Sequence, residues 1–315
     1  MAQNIFLKPF YFIRHYRFKT TVIDGKSIAN KILKDLKVAV QEHTDKKHRA
    51  PTLTAIIVGD DPSSKIYVKN KVKTAHFVGI KTEVLNFPDS ISETKLIKTI
   101  QVLNSTKEVD SVLLQLPLPS HINPNIYELI SPEKDVDGFT SANFGKFCLD
   151  KETIIPCTVL AVQKILQEIN IDFTGKNALI CGRSKHVGLP IAMLLHSNFK
   201  NAVKGFNANT IICHRFTPVD QLTKFCQNAD VVITATGVPS LIRGYMVKKG
   251  SVIIDVGISR IIDPQSLKNK IVGDVNFEEV KEVAGFLTPV PGGVGPLTVA
   301  MLLQNTFTIA RKRNP

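Results

Sequence analysis

Within SSKIYVKNKVKTA, Ser64, Tyr67 and Lys71 recur at intervals of three and four residues, which sets them on one face of a helix. A lysine that gives up its charge when desolvated becomes a general base, and a phenol beside it is an amphipathic platform. Gln115 could join them. It interrupts the apolar run SVLLQLPLP near its carboxyl end, where ligands of parallel sheets bind. A buried amide there is either bonded internally or aimed at a ligand. KDVDG adds Asp135 and Asp137 in a loop that, taken alone, reads as a solvated turn. Their placement argues otherwise: Tyr67, Lys71, Gln115 and Asp137 all border strands of one predicted sheet.

A second kind of chemistry is suggested by NALICGRSKHVGLPIAMLL, a strand, a glycine turn and a helix. Gly182 ends the strand, Gly188 lies within the turn and Pro190 suits the first turn of the helix. Exposed amides at such a helix start receive a pyrophosphate, and the missing side chains let it approach. The strict G-x-G-x-x-G spacing is absent, so an ordinary strand–helix turn stays open as the alternative. The next strand ends in NTIICHRFT, placing Arg215 where an adenosine ribose would lie, with Arg183 in the first turn. Two guanidiniums there point to a bound phosphate and, by the general rule, to NADP. Tyr67 and Lys71 also spell Y-x-x-x-K, the catalytic pair of short-chain dehydrogenases. In that family, however, the glycine turn precedes the pair, and here the order is reversed.

These groups need two α/β units to hold them. SIANKILKDLKVAVQEH puts Ile28, Ile32, Leu36 and Val40 on one helical face. TLTAIIVG, KTEVLNF and SVLLQLPLP read as strands, with a helix from Lys65 to Phe77 between the first two. After the Pro-, Asp- and Gly-rich connector SPEKDVDGFTSANFG, the pattern restarts. A helix from about Val159 to Ile169 leads into KNALICG, NTIICH, DVVITATG and SVIIDVG. Continuous apolar strands separated by helices predict parallel sheets covered on both faces. The join falls near residue 155.

Composition narrows the classes. With 315 residues, 43% hydrophobic and 21% charged, the chain reads as a globular protein with ample core, and no apolar run is long enough to span a bilayer. Cys148, Cys157, Cys181, Cys213 and Cys226 form no C-x-x-C pair and read as reduced thiols. The net charge of +13 would suit a nucleic-acid binder, yet no nucleic-acid-binding motif is present, and a polyanionic small substrate serves as well. The opening MAQNIFLKPFYFIRHYRFKTT is basic, aromatic and free of acids, and resembles a mitochondrial targeting segment over residues 1–21.

SSKIYVKNKVKTAHFVGI, VLLQLPLP, SPEKDVDGF, CGRSKHVGLPIAMLL, TATGVPSLI, VIIDVGI, VGDVNF and TPVPGGVGPLTVAML, in that order and spacing, resemble the methylenetetrahydrofolate dehydrogenase/cyclohydrolases. The likeness runs from about Val22 to Arg311. It implies two α/β domains with the active-site cleft between them. Residues 22–155 would form the folate-binding catalytic domain, completed by a C-terminal helix over 295–315. Residues 156–290 would form a Rossmann-like NAD(P)-binding domain. The family's chemistry is oxidation of 5,10-methylene-tetrahydrofolate followed by hydrolysis to 10-formyl-tetrahydrofolate, usually in a homodimer, in mitochondrial one-carbon metabolism for this branch.

Carried over residue by residue, the resemblance makes Lys71 the key catalytic group, assisted by Gln115, with Tyr67 stacked near the folate and Asp137 holding the pterin. Pro289, Gly292 and Gly293 would form the cleft wall where bare backbone meets both substrates. Gly182, Arg183, Ser184, Val187 and Gly188 would line the dinucleotide site. His214 and Arg215, then Ala235, Thr236 and Gly237, and finally Ile258, Gly293 and Thr298, would complete it. H-R-F-T together with Arg183 resembles the NAD-dependent mitochondrial branch, where inorganic phosphate and magnesium take the place of the 2′-phosphate. That makes NAD the expected cofactor over NADP and assigns Arg183 and Arg215 to phosphate. The magnesium aspartate of that branch corresponds to Asn207, an amide without charge. PCTVLAV also departs from P-C-T-P-x-G at Val159 and Ala161, with the cleft wall or hinge as the expected place of any effect. The expected partners are polyglutamylated tetrahydrofolates and a second copy of the chain in the mitochondrial matrix, without nucleic acid or membrane.

Overall fold

The computed structural model describes residues 20–262 and 269–313, so the targeting segment expected over 1–21 falls outside them except for its last two positions. The chain begins with β1 (Thr21–Val22), α1 (Gly25–Asp45), β2 (Thr52–Val58), α2 (Pro62–Val78), β3 (Lys81–Phe87), α3 (Glu93–Ser105) and β4 (Ser111–Leu114). It continues through α4 (Ser141–Cys148), α5 (Cys157–Glu168), β5 (Asn177–Cys181), α6 (Gly188–His196), β6 (Asn209–Cys213), α7 (Val219–Asn228), β7 (Val231–Thr234) and β8 (Val252–Asp255). It ends with β9 (Ser259–Ile262), β10 (Asn269–Val272), α8 (Phe277–Val280), β11 (Phe286–Leu287) and α9 (Val294–Arg313).

Two parallel sheets result. The smaller has the order β3-β2-β4 and the larger β1-β11-β8-β7-β5-β6, with every neighbouring pair in both parallel. Strands β4, β7 and β8 are buried at every residue, as their unbroken apolar runs require when helices cover both faces. In the larger sheet β5 lies between β6 and β7, so the winding reverses at β5 and leaves a crevice beyond its carboxyl end.

Local chemistry starts the helices that matter. Asp61 caps α2 by accepting from the Ser64 amide at 2.7 Å, Pro62 occupies its first turn, and Gly79 at φ +87° ends it. Asp24 caps α1 through the Ser27 amide at 3.0 Å.

The chain crosses between the two units repeatedly, and the simple division of the sequence changes accordingly. Thr21 and Val22 pair with Phe286 and Leu287, which puts the start of the expected first domain into the large sheet. A two-residue strand whose partner lies near the other end of the chain leaves no local period to read. At the far end, α9 packs along α1 and α5 and against β2 and β4 of the small sheet. Val159 and Ala161 are fully buried inside α5, so the departures from the family pattern fill helical core rather than a cleft wall. An antiparallel hairpin, β9–β10, stands apart from both sheets and was not expected from the sequence. Among the described residues, no helix is long and apolar enough to cross a membrane.

Candidate active site

Helix α2 buries one stripe: Ser64, Val68, Lys71, Ala75 and Val78. Lys71 therefore sits in a core position, 6% exposed, on an otherwise charged helix. Its Nζ donates to Gln115 Oε1 at 3.1 Å and lies 4.8 Å from the centroid of the Tyr67 ring. Gln115 directly follows β4, and its backbone amide continues the sheet by donating to Ile56 O at 2.9 Å. Its Nε2 donates to Leu116 O at 2.7 Å, which fixes the amide oxygen toward Lys71. Burial pulls the Lys71 ammonium below the usual lysine range, with the Asp137 carboxylate opposing the shift. Burial also pushes the Tyr67 phenol up to about 12, so it stays protonated. A tyrosine base of the short-chain type needs the reverse shift. Ser64 is not part of this chemistry, because its hydroxyl donates to the capping Asp61 at 2.9 Å.

The charges of KDVDG divide their labour. Lys134 is fully buried and donates at 2.7 Å to Leu103 O and to Thr106 O, closing the carboxyl end of α3. Asp135 accepts from the Gly138 amide at 3.0 Å, the Thr140 amide at 2.8 Å and Asn143 Nδ2 at 3.0 Å. Only Asp137 is left over, its nearest hydrogen-bonding neighbour being Cys157 Sγ at 4.0 Å. Burial lifts its carboxyl to about 6, against the pull of Lys71. Gly138 follows at φ +68°, where a Cβ would come within 2.7 Å of Ile154 O.

Beside this cluster is a cavity of about 560 Å³. Tyr67 and Asn70 of α2, Lys26 of α1, Ile258 and the stretch from Pro289 to Pro296 line it. That stretch lies against the first turn of α1: Lys26 N donates to Gly292 O at 3.1 Å, and a Cβ on Gly25 would sit 1.9 Å from Gly293 O. Pro289, Gly292 and Gly293 thus share a cavity with Tyr67. A larger cavity, about 630 Å³, is lined by His43 and Arg311 at the opposite end of α1, roughly 25 Å along the helix. It holds none of the predicted groups.

At the crevice of the large sheet, Gly182 follows β5 at φ +118°, and a Cβ on it would meet Ala235 O, after β7, at 2.3 Å. A Cβ on Gly188, at the start of α6, would meet Gly182 O at 2.1 Å. Only bare backbone closes this turn, and Ser184 O braces it by accepting from the Val187 and Leu189 amides at 3.3 and 3.0 Å. The arrangement fits a dinucleotide: a helix start at the point where the sheet reverses, approached without side chains. Arg183 and Arg215 follow the adjacent strands β5 and β6, both exposed, with the Arg183 guanidinium 5.7 Å from the Phe216 ring centroid. His214 directs its Nδ1 to the Phe216 amide at 3.3 Å, and Thr236 binds Asp274 through both its amide and its hydroxyl. Gly237 turns at φ +71°.

Two more expected site residues make or adjoin local backbone structure. Thr298 donates its hydroxyl to Val294 O within α9 at 3.2 Å. Asn207 precedes β6 whereas Arg215 follows it, and the strand alone separates the two ends by roughly 13 Å. Among the described residues, no group of three or more His, Cys, Asp or Glu could hold a metal ion.

One contributor escaped the sequence reading. Asn305, buried in α9, donates from Nδ2 to Val136 O and to Ile155 O, each at 3.0 Å. It ties the loop of Asp137 to the entry of α5. An amide inside the apolar run MLLQNTF was the available signal.

Two family models match the chain: the catalytic domain of tetrahydrofolate dehydrogenase/cyclohydrolase over residues 23–137, and its NAD(P)-binding domain over residues 156–314. A mitochondrial bifunctional methylenetetrahydrofolate dehydrogenase/cyclohydrolase 2 of Callithrix jacchus is 47% identical over 94% of this chain and 86% of its own. The mitochondrial bifunctional enzyme of Drosophila melanogaster is 46% identical over 93% of this chain and 95% of its own. Among solved structures, a 5,10-methylenetetrahydrofolate dehydrogenase from the silkworm Bombyx mori superposes with a TM-score of 0.87 at 48% identity, covering 93% of this chain and 98% of that one.

Proposed function

The chain belongs to the tetrahydrofolate dehydrogenase/cyclohydrolase family, and from that premise we propose that it works in mitochondria with NAD, using Arg183 and Arg215 to hold inorganic phosphate beside the ribose. It is a bifunctional enzyme that oxidises 5,10-methylene-tetrahydrofolate to the 5,10-methenyl form and hydrolyses that to 10-formyl-tetrahydrofolate. Asp137 holds the pterin, since, unlike Asp135, it accepts no hydrogen bond from the backbone or amides of its loop. Tyr67 supports the folate from α2, and the backbone of Pro289, Gly292 and Gly293 lets both bound molecules approach. The dinucleotide, seated at the Gly182–Gly188 turn, supplies the hydride acceptor, and this step asks the protein for alignment rather than for an acid or base.

Hydrolysis is where Lys71 acts. The single observation that carries this reading is the Lys71–Gln115 hydrogen bond of 3.1 Å inside a buried stripe of α2. Desolvation already favours the neutral amine, and a cationic methenyl group beside it adds to that. The water oxygen bonds to the methenyl carbon as its proton passes to Lys71. The remaining hydroxyl proton ends on N5 as the bond from that carbon to N5 breaks, leaving the formyl group on N10. Gln115 keeps the amine aimed throughout. The basic surplus of the chain attracts the glutamate tail, and a homodimer is the expected assembly.

The test is turnover of methylene-tetrahydrofolate with NAD or NADP, with and without phosphate. NAD turnover that rises with phosphate supports the reading. NADP preferred, with indifference to phosphate, overturns the cofactor assignment. For the cellular address, a reporter fused to residues 1–21 should enter mitochondria, and retention in the cytosol would sink that part.

A further inference from the structure

His186 lies in the turn between β5 and α6, and none of the roles above uses it. Its ring reaches across to the small-sheet unit. It stacks on Phe139, with centroids 4.3 Å apart and planes at 23°, and meets Tyr127 edge-on, with centroids 4.9 Å apart and planes at 84°. Tyr127 and Phe139 belong to the small-sheet unit, where they contact one another at 6.4 Å. Phe139 comes two residues after Asp137, joined to it through Gly138, whose surroundings leave no room for a side chain. On the other side, the backbone bonds of Ser184 to Val187 and Leu189 enclose His186, so its ring is carried by the braced dinucleotide turn. His186 Nε2 is shut away from solvent and has no hydrogen-bond partner among the described residues. An imidazole buried for its hydrogen bonds would not leave that nitrogen idle. What this position uses is a flat ring.

We propose that His186 is a positioning residue for hydride transfer, its ring acting as a strut that sets the separation between the dinucleotide turn and the loop of Asp137. This rests on the assignment of those two segments to cofactor and folate. The two reactions make unequal demands on such a strut. Hydride transfer needs two bound molecules aligned across the units, and a displacement of about 1 Å costs about 100-fold. Hydrolysis of a methenyl group uses Lys71, Gln115, Tyr67 and Asp137, all within the small-sheet unit. Loss of the ring should therefore separate the activities.

The full chain, His186→Ala and His186→Phe are compared in two assays: oxidation of methylene-tetrahydrofolate with NAD, and hydrolysis of supplied methenyl-tetrahydrofolate. His186→Ala should lower the dehydrogenase kcat by about 100-fold while hydrolysis stays within about twofold, because its groups are untouched. The kinetic isotope effect from deuterium on the methylene carbon should grow. His186→Phe keeps a ring of similar thickness and should restore most of the dehydrogenase rate. Equal loss of both activities in His186→Ala would mark a general structural role and overturn the strut. So would an unchanged dehydrogenase, or a phenylalanine that fails to rescue. An unsubstituted chain lacking either activity would overturn the underlying assignment, and the strut with it.

Discussion

The Lys71 cluster lies near the carboxyl edge of the small sheet, and the Gly182 turn lies at the carboxyl edge of the large one. Equivalent in place, they are opposite in construction. At the first, side chains do everything: Lys71, Gln115 and Asp137 are selected by what they can donate, accept or titrate. At the second, the absence of side chains does the work, and Gly182 and Gly188 are selected by what they leave out. A polar cluster tolerates a wrong atom badly but a small displacement moderately, since hydrogen bonds relax over a few tenths of an ångström. A bare-backbone turn has no such slack, because the two loops it joins are already in contact.

Substitutions on each side break this comparison in different ways. The largest effect should come from Lys71→Met, which removes the proton acceptor and keeps the bulk. Hydrolysis of methenyl-tetrahydrofolate should fall by about 10²–10⁴-fold, and a normal rate in a stopped-flow assay would remove Lys71 from its role. Gly182→Ala should damage the other site through shape alone. Its Cβ would lie 2.3 Å from Ala235 O at a φ of +118°, so NAD affinity measured by calorimetry should collapse and the thermal midpoint should drop. Retained NAD binding would show that the turn has slack after all. Arg215→Ala should act more mildly, abolishing the stimulation by phosphate and raising the KM for NAD about tenfold, one charge-assisted contact's worth.

The smallest effect carries the most specific sign. Asp137 has a folded pKa of about 6, above the 3.8 of a free aspartate, so its protonated form is the one that folding favours. Its contribution to stability is present below the unfolded value and is lost as pH rises through about 6. Asp137→Asn should therefore lower turnover at pH 7.5 and yet raise the melting temperature, by roughly 2–4 °C for each kcal/mol relieved. The gain should vanish near pH 4. A melting temperature that falls at pH 7.5 would mean that the carboxylate is stabilised by its surroundings.

The same contrast explains what could be read without coordinates. Side-chain signals with a local period were legible: Lys71 falls in step with Val68, Ala75 and Val78, and the apolar runs around Ile56 and Ile233 are strands. Glycines bracketed by a strand and a helix were legible as a turn. Partition within KDVDG was not, because Lys134 and Asp135 are taken by groups in α3, the following loop and α4 whose identity no spacing reveals. Asn207 is a different case: a metal ligand there rests on matching it to a family position, and no spacing tells that it precedes β6 while Arg215 follows it. Strand β1 and the hairpin β9–β10 escaped notice because pairing across the chain, or outside the main sheets, leaves no period of two or 3.6 to count.

The repeated crossing of the chain between its units has a consequence for descent and for engineering. Thr21 and Val22 complete the sheet of the second half, while α9 completes the packing of the first. Neither half is a transplantable module. A recombination event or a designed chimera that exchanges only residues 156–290 separates β11 from the β1 it pairs with, and cutting after residue 290 strips α1 and α5 of the helix that covers them. Exchanging either half alone therefore breaks packing that the other half supplies.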